Sequence, residues 1–289
     1  MKKIPIFYHI PKCAGTYINN VCFAALREAA DGEPCYHIDI TKDGHIAYRL
    51  LCYGEVTFNN AYNKINNVCY SVDFDHFKLQ QLKIFMVRVA DYGFYSINQD
   101  LRHFLKRGQE FQEFICLRDP YQRALSMFNY TQSENSSHEL YHNAFANLTF
   151  EDYINSTQIE DSWLIRRLTG LERIIPITQK NFDKACSSLD KMRVFDISKV
   201  DVRLRKIMLE CHDIDIKNLN IFAYGTQEET RQARQEYARS GRKNKKNIIF
   251  KNKTEKKENI RLHQLKKETR EAWQFKSQWD RKIYNNYVH

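Results

Sequence analysis

Residues 4–18 read IPIFYHIPKCAGTYI, and this stretch predicts the fold. An apolar, β-prone run leads directly into the short loop PKCAGT at residues 11–16. From Ile18 to Ala29, apolar residues recur at helical spacing, which predicts a helix. In a strand, tight loop and helix of this kind, the backbone N–H groups at the helix start can bind an anion, and Lys12 adds a positive charge. The alternative is an ordinary strand-to-helix turn with an incidental lysine.

The order of residues in this loop differs from that of the common nucleoside-triphosphate loop, which has two glycines before a Lys-Ser/Thr pair. HIPKCAGTYI instead resembles the HIPKTGGT loop of carbohydrate-type sulfotransferases, the heparan sulfate 2-O-sulfotransferase-like and bacterial families. These enzymes use 3′-phosphoadenosine 5′-phosphosulfate (PAPS) and release its desulfated product, PAP. The resemblance implies that Lys12 is catalytic. It also implies that the 5′-phosphosulfate is bound by Pro11, Lys12, Cys13, Ala14, Gly15, Thr16 and Tyr17.

A second segment, FQEFICLRDPYQRALSMFNY at residues 111–130, supports the same resemblance. Its first part predicts a buried strand, and the following Asp-Pro pair predicts the start of a helix. LRDPYQRALSMFNY resembles the family's LRDPVERLLSHY segment, which holds the 3′-phosphate of the cofactor. The resemblance implies that Arg118 and Ser126 bind this phosphate, with help from Arg123. The alternative is a charge at the end of a strand and a packed helix serine.

Three less specific segments extend the resemblance along the chain. LTFEDY at 148–153 is similar to the family's L-T-F-E-E-F segment, and WLIRRLTGL at 163–171 is similar to its L-x-G segment. Asn252-Lys253-Thr254, followed by WDRKIY at 279–284, resembles the closing N-x-T and D-x-x-L-Y pattern.

The acceptor-activating base has no clear counterpart, because the histidine that the family places on a strand end before the Arg-Asp-Pro motif is missing. Asp91 lies at about the right distance from that motif, and His76 lies in a locally similar sequence farther upstream. We take His76 and Asp91 as the candidate catalytic bases, with His45 as a weaker third candidate. Each of them also has an ordinary structural interpretation.

Positive charge is concentrated near the C-terminal end. Residues 239–267 carry twelve Lys/Arg and two Asp/Glu, so this segment accounts for the net charge of +10 of the whole chain. A basic loop over 239–257 could be a solvated surface, a nucleic-acid-binding patch, or a lid over PAPS and an anionic acceptor. We favour the lid, with Arg242 and Lys243 at the cofactor, and regard nucleic acid as the least favoured partner.

Composition indicates a globular protein, with 43% hydrophobic and 13% aromatic residues. No apolar run reaches the roughly 20 residues of a membrane span. The eight cysteines form no C-x-x-C pair and no zinc-like cluster, so we expect free thiols, no metal and a cytoplasmic location. Five N-x-[ST] triplets point the other way, and we attribute them to chance.

Strands that alternate with helices predict an α/β fold with a mostly parallel central sheet between helices, a P-loop-like three-layer sandwich. We expect a single domain over residues 1–289, with a variable acceptor-side insertion at 33–83 and a C-terminal helix at 256–286. The predicted strands are 4–10, 68–72, 84–89, 113–117 and 192–197. The predicted helices before the last one are 16–30, 101–106, 120–130, 149–156, 160–169, 178–188, 200–211 and 225–240.

These features together predict an enzyme that transfers a sulfuryl group from PAPS to an acceptor hydroxyl, with a carbohydrate as the favoured acceptor. Two alternatives stay open. One is a P-loop kinase acting on a small molecule, and the other is a non-enzymatic nucleic-acid-binding protein that uses the basic segment.

Overall fold

The structure is a computed structural model. It describes residues 3–29, 35–40, 46–51, 84–90, 110–132, 145, 148–157, 159–218, 221–224, 247–250 and 260–288.

A six-stranded sheet forms the centre of the fold. Its strands are β1 (Ile4–His9), β2 (Cys35–Ile40), β3 (Ile46–Leu51), β4 (Ile84–Ala90), β5 (Phe111–Leu117) and β6 (Arg193–Asp196). They lie in the order β3-β2-β4-β1-β5-β6, and all neighbours are parallel except β2 and β3. The apolar runs of β1 and β5 contribute buried side chains to both faces of the sheet, as a parallel sheet covered on both sides requires.

Helices cover both faces of this sheet. On one face, α1 (Gly15–Ala29) and α6 (Val200–His212) pack against Phe7, Phe114 and Phe195, whose rings stack with centroids 5.2 and 6.2 Å apart. The opposite face is covered by α4 (Trp163–Thr169), α5 (Gln179–Leu189) and the end of α7 (Lys267–Val288). The predicted three-layer α/β arrangement with a mostly parallel sheet is therefore confirmed.

A third apolar cluster lies beside the sheet. Here α2 (Pro120–Thr131) and α3 (Phe150–Asn155) pack against the first half of α7, largely through aromatic side chains. Tyr121 contacts Phe150 and Trp273 edge-on, with centroids 5.7 and 6.2 Å apart. This cluster fixes α2, and with it the residues that follow β5, relative to α7.

The path of the chain through the sheet creates one crevice. From β1 the chain continues towards the edge of the sheet that holds β2 and β3, whereas from β5 it continues towards the opposite edge, which is formed by β6. Ligands of open α/β sheets bind at such a switch point, outside the carboxyl ends of the strands. The loops after β1 and β5, which carry Lys12 and Arg118, meet at this point.

Some predicted elements need correction. The stretch 33–83 contributes β2 and β3 to the main sheet, whereas the sequence predicts no strand there before residue 68. The two strands are short and mix polar with apolar residues, so they show no clear strand period. Within the segment predicted as a basic loop, Asn247–Phe250 is a strand (β8) that pairs in parallel with β7 (Ile221–Tyr224).

The C-terminal helix begins at Lys267 rather than at residue 256. Before it, Leu262–Gln264 forms a single 3₁₀ turn and Leu265 is extended and buried. The backbone N–H of Lys266 donates to the Glu151 carboxylate at 3.0 Å, so the chain is tied to α3 before the helix starts. Charged residues at helical spacing had concealed this break.

Other predictions concern parts of the chain outside the described residues: the strand at 68–72 and the helices at 101–106 and 225–240. The single-domain boundaries and the acceptor-side role of 33–83 stay predictions. Among the described residues, no helix is both long and apolar enough to cross a membrane.

Candidate functional site

The loop after β1 has an unusual backbone. Lys12 and Ala14 adopt positive φ angles of 66° and 60°, a region that costs L-residues about 1–2 kcal/mol each. The Cys13 N–H donates to the Ile10 carbonyl at 3.2 Å, and the first α-helical bond of α1 runs from the Ile18 N–H to the Ala14 carbonyl at 2.9 Å. Left-handed residues in a short turn are typical of anion-binding nests, in which backbone N–H groups of neighbouring residues point towards a common place.

The start of α1 continues this concave surface. The amides of Gly15 and Thr16 lie in the first turn, where N–H groups have no partner within the helix and carry the positive end of its dipole. Thr16, in the same turn, is exposed. The predicted order of strand, short loop and helix is found here, and anion binding by the loop stays a prediction.

His9 is a member of the site that the sequence did not single out. It is the last residue of β1, and its ring occupies the space that a side chain at Gly15 would need. A Cβ added to Gly15 would lie 1.9 Å from the His9 Nε2 atom. Because Cβ atoms point towards the N-terminus of a helix, the imidazole lies beside the first turn of α1, next to the nest. The requirement for glycine at this position therefore comes from a side chain that precedes it.

Arg118 joins the site from the neighbouring strand. It follows β5 directly, and its Nη1 atom donates to the Lys12 carbonyl at 3.3 Å. The Lys12 ammonium lies 4.3 Å from the centre of the Tyr130 ring. Burial, with a further contribution from the Arg118 charge, lowers the pKa of Lys12 to about 8. Two cations held this close together favour a ligand with negative charge.

The helix after β5 begins as predicted. Asp119 is its N-cap and accepts a hydrogen bond from the Gln122 N–H at 2.9 Å, and Pro120 is the first helical residue. Arg123 and Tyr130 lie two turns apart on one face of α2, and Ser126 lies between them at helical spacing, partly buried. Of the predicted 3′-phosphate residues, Arg118 and Arg123 come together at one cavity, and Ser126 lies on the α2 face that extends from it.

This cavity lies beneath the loop and has a volume of about 20 Å³. Its lining residues are Ile10, Cys13, Leu117, Arg118, Pro120, Arg123, Trp163, Leu164, Asp280 and Tyr284. Asp280, which is 6% exposed, accepts hydrogen bonds from the backbone N–H groups of Leu164 at 3.1 Å and of Ile165 at 3.4 Å, and so caps α4. The Tyr284 hydroxyl donates to Asp196 at the end of β6, at 2.7 Å.

The less specific sequence segments thus have a structural explanation. Residues from 163–171 and 279–284 meet at the cavity. There Asp280 hydrogen-bonds to the start of α4, and Tyr284 hydrogen-bonds to the end of β6. Burial raises the pKa of Asp280 to about 6, against the opposing effects of the Leu164 N–H and the Arg123 charge. These acidic groups are engaged by backbone and tyrosine donors.

Two residues of the predicted phosphosulfate site, Cys13 and Tyr17, have side chains that are held by other parts of the protein. Cys13 is fully buried, and burial raises the pKa of its thiol to about 12 although Arg123 and Arg118 act in the opposite direction. Its side chain is therefore a neutral thiol at physiological pH. The Tyr17 hydroxyl hydrogen-bonds to the Asp201 carboxylate on α6, which directs the ring away from the loop. Neither side chain therefore suits an anion, and the Cys13 N–H is bonded to the Ile10 carbonyl.

Five of the predicted site residues lie outside the described residues: the candidate bases His45, His76 and Asp91, and the lid residues Arg242 and Lys243. Their roles stay predictions. Among the described residues, no group of three or more His, Cys, Asp or Glu side chains could hold a metal ion.

Comparison of the chain with models of known protein families found no match. A search of curated proteins likewise found no relative.

Proposed function

We propose that the protein is a PAPS-dependent sulfotransferase. The observation that carries this proposal is the pairing of two cationic strand ends at the switch point of a parallel sheet. The anion-binding nest with Lys12 follows β1, and Arg118 follows β5 and hydrogen-bonds to the Lys12 carbonyl. Arg123 adds a third cation at the cavity below. One nucleotide with phosphates at both ends of its ribose would meet both cationic groups.

In this proposal, the N–H groups of residues 14–16 and the Thr16 hydroxyl bind the 5′-phosphate, because the Cys13 N–H is bonded to the Ile10 carbonyl. Arg118, Arg123 and Ser126 bind the 3′-phosphate and so select PAPS over nucleotides that lack it. Bonds from charged donors to phosphate are among the stronger hydrogen bonds in proteins, and an arginine can make two of them in parallel. Burial, with a smaller contribution from the Arg118 charge, lowers the pKa of Lys12, and a bound anion would favour the charged lysine against both effects.

The chemistry follows from these positions. Sulfuryl transfer in line between two oxygens resembles phosphoryl transfer, in which positioning and charge stabilisation provide most of the catalysis. Lys12 stabilises the charge that develops on the oxygen bridging the 5′-phosphate and the sulfuryl group. The acceptor hydroxyl gives its proton to a base, for which the sequence offers His76 and Asp91.

We propose a carbohydrate hydroxyl as the acceptor, because the loop sequences resemble the carbohydrate-type branch of sulfotransferases. The basic residues 239–257 would attract an anionic glycan.

A cytoplasmic location is supported by the five described cysteines, all of which are free thiols. It is also supported by Asn129, the first residue of one N-x-[ST] triplet, which is only 5% exposed and has no room for a glycan.

The first test separates the two phosphate sites with PAP and adenosine 5′-phosphate (AMP). Arg118→Ala removes a charge-assisted contact, so PAP affinity should fall about 10- to 100-fold while AMP affinity hardly changes. Arg203→Ala, which removes an exposed positive charge from α6, is the matched control and should change neither affinity. An equal loss for both nucleotides in Arg118→Ala would contradict the assignment of the 3′-phosphate to this strand end.

The second test is activity. Transfer of labelled sulfate from PAPS to a panel of glycans, phenols and small amines should label a glycan hydroxyl, and Lys12→Met should abolish the transfer. Sulfation of phenols with refusal of every glycan would overturn the carbohydrate assignment alone. If ATP with magnesium were bound in preference to PAP, and its phosphate transferred, the kinase alternative would replace the sulfotransferase proposal.

A further inference from the structure

Trp163 packs against Arg123, an arginine that lines the cavity of the candidate site. Its indole ring is 4.4 Å from the Arg123 guanidinium carbon and 5.4 Å from that of Arg167, both within the range of a favourable cation–π contact. Arg123 and Trp163 both line the cavity beneath the anion-binding loop, whereas Arg167 does not. The indole therefore supports a guanidinium that belongs to the site on α2, although Trp163 itself lies on α4.

The backbone of Trp163 is fixed from two directions. Ser162, which precedes it, has a positive φ of 44°, and its N–H donates to the Lys276 carbonyl of α7 at 2.7 Å. The Leu164 N–H, which follows it, donates to the Asp280 carboxylate of the same helix at 3.1 Å. Both contacts come from the long C-terminal helix, so the position of the indole is set by α7 and does not depend on the loops of the site.

The fixed ring matters because arginine is flexible. Without the ring, the half-buried Arg123 would populate more rotamers, and a ligand that contacts it would have to order it first. A guanidinium stacked on an aromatic ring is already restricted to a plane, and its N–H groups lie at the rim of the ring. The nearby Asp280 carboxylate accepts hydrogen bonds from the Leu164 and Ile165 N–H groups, so it already has partners besides the Arg123 charge.

We propose that Trp163 is a positioning residue that holds Arg123 against the cavity, so that its guanidinium contacts the 3′-phosphate of the nucleotide. This inference rests on the proposed function. Trp163 determines how strongly the protein prefers a nucleotide with a 3′-phosphate over one without it. It acts on the 3′-phosphate site alone, because the 5′-phosphate is bound by the nest after β1.

The test is the ratio of PAP to AMP affinity, measured by titration calorimetry. Trp163→Met removes the ring but keeps much of its volume, and PAP affinity should fall about 3- to 10-fold with AMP affinity unchanged. Trp163→Phe should recover most of the loss, because a phenyl ring can still stack. Arg167→Met is the matched control: it touches the same indole from outside the cavity and should leave the ratio unchanged.

A second set of variants starts from changes at Arg123. Arg123→Lys keeps the positive charge but cannot stack as a plane, so it should lose PAP affinity nearly as Arg123→Met does. In the Arg123→Met background, Trp163→Met should have no further effect on the ratio. These measurements separate a positioning role from a merely structural one, which would weaken both nucleotides or lower stability without changing the ratio.

The outcomes distinguish this inference from the proposed function. The wild-type protein could prefer PAP while Trp163→Met leaves the ratio of PAP to AMP affinity unchanged, or while Arg123→Lys keeps wild-type PAP affinity. Either result would overturn the role of Trp163 alone. Wild-type protein that binds PAP no better than AMP would overturn the 3′-phosphate site and this inference with it.

Discussion

Replacing Lys12 with methionine should make the ligand-free protein more stable while it abolishes sulfate transfer. Methionine keeps the unbranched chain and the left-handed backbone of this position but removes the charge. Lys12 is partly buried beside Arg118, and its pKa is lowered from 10.5 to about 8. The charged lysine is therefore less favourable in the native state than in the unfolded chain, which lowers the free energy of unfolding.

The size of the effect follows from this pKa. A lowering of this size corresponds to about 3 kcal/mol at pH 7, and solvent screening of a partly exposed group reduces it by roughly half. Loss of the contact with the Tyr130 ring offsets about 0.5–1 kcal/mol. Lys12→Met should thus gain about 1 kcal/mol in the free energy of unfolding.

Urea unfolding of the wild type and Lys12→Met at several pH values provides the assay. Because the folded-state pKa lies below the unfolded one, the wild type loses its disadvantage as pH rises from about 8 towards 10.5. The difference between the two proteins should be largest at pH 7 and shrink above pH 8. Lys180→Met, an exposed lysine on α5, should stay within about 0.5 kcal/mol of the wild type. A Lys12→Met protein that is less stable than the wild type at pH 7 would refute this reasoning.

Three further predictions concern other groups. Gly15→Ala should lower the free energy of unfolding by about 1–3 kcal/mol because the new Cβ meets the His9 ring, and adding His9→Ala should recover most of this loss in a double-mutant cycle; additive effects would disprove the contact. Burial raises the pKa of Asp280 to about 6, so the wild type should gain about 1 kcal/mol over Asp280→Asn when the pH falls from 7 to 5; an equal pH dependence in urea unfolding of both proteins would contradict this. Charge reversal at Lys245 and Lys246 should raise the acceptor KM more than it lowers kcat, and the wild-type rate should fall as salt rises through about 0.1–0.2 M; a salt-independent rate would argue against steering by this segment.

The sequence predicted the parts of the fold that have strong local signals. The apolar run of β1 predicts a strand, and the Asp119-Pro120 pair after β5 predicts the start of a helix. Both elements are found within a few residues of the predicted positions. Their meeting at one crevice follows from the parallel order of the strands. The strand Asn247–Phe250 was missed because four residues between lysines carry little periodic signal.

The supporting contacts of the site could not be predicted because they join distant parts of the chain. Asp280 caps a helix that begins more than a hundred residues earlier, and Tyr284 reaches the end of β6. The positive φ angles of Lys12 and Ala14 occur at residues that do not usually favour them, so composition gives no hint of the nest. His9 could have been found from its position at the end of β1, directly before the loop.

Separate calorimetric titrations of the wild-type protein with PAP, with AMP, and with ATP and magnesium test the central claim most directly. Two phosphate sites on one nucleotide predict that PAP binds more tightly than AMP by at least the 10- to 100-fold that a charge-assisted phosphate contact provides, and more tightly than ATP with magnesium. Equal or tighter binding of ATP, or equal binding of PAP and AMP, would contradict the proposal that Lys12 and Arg118 hold the two ends of PAPS.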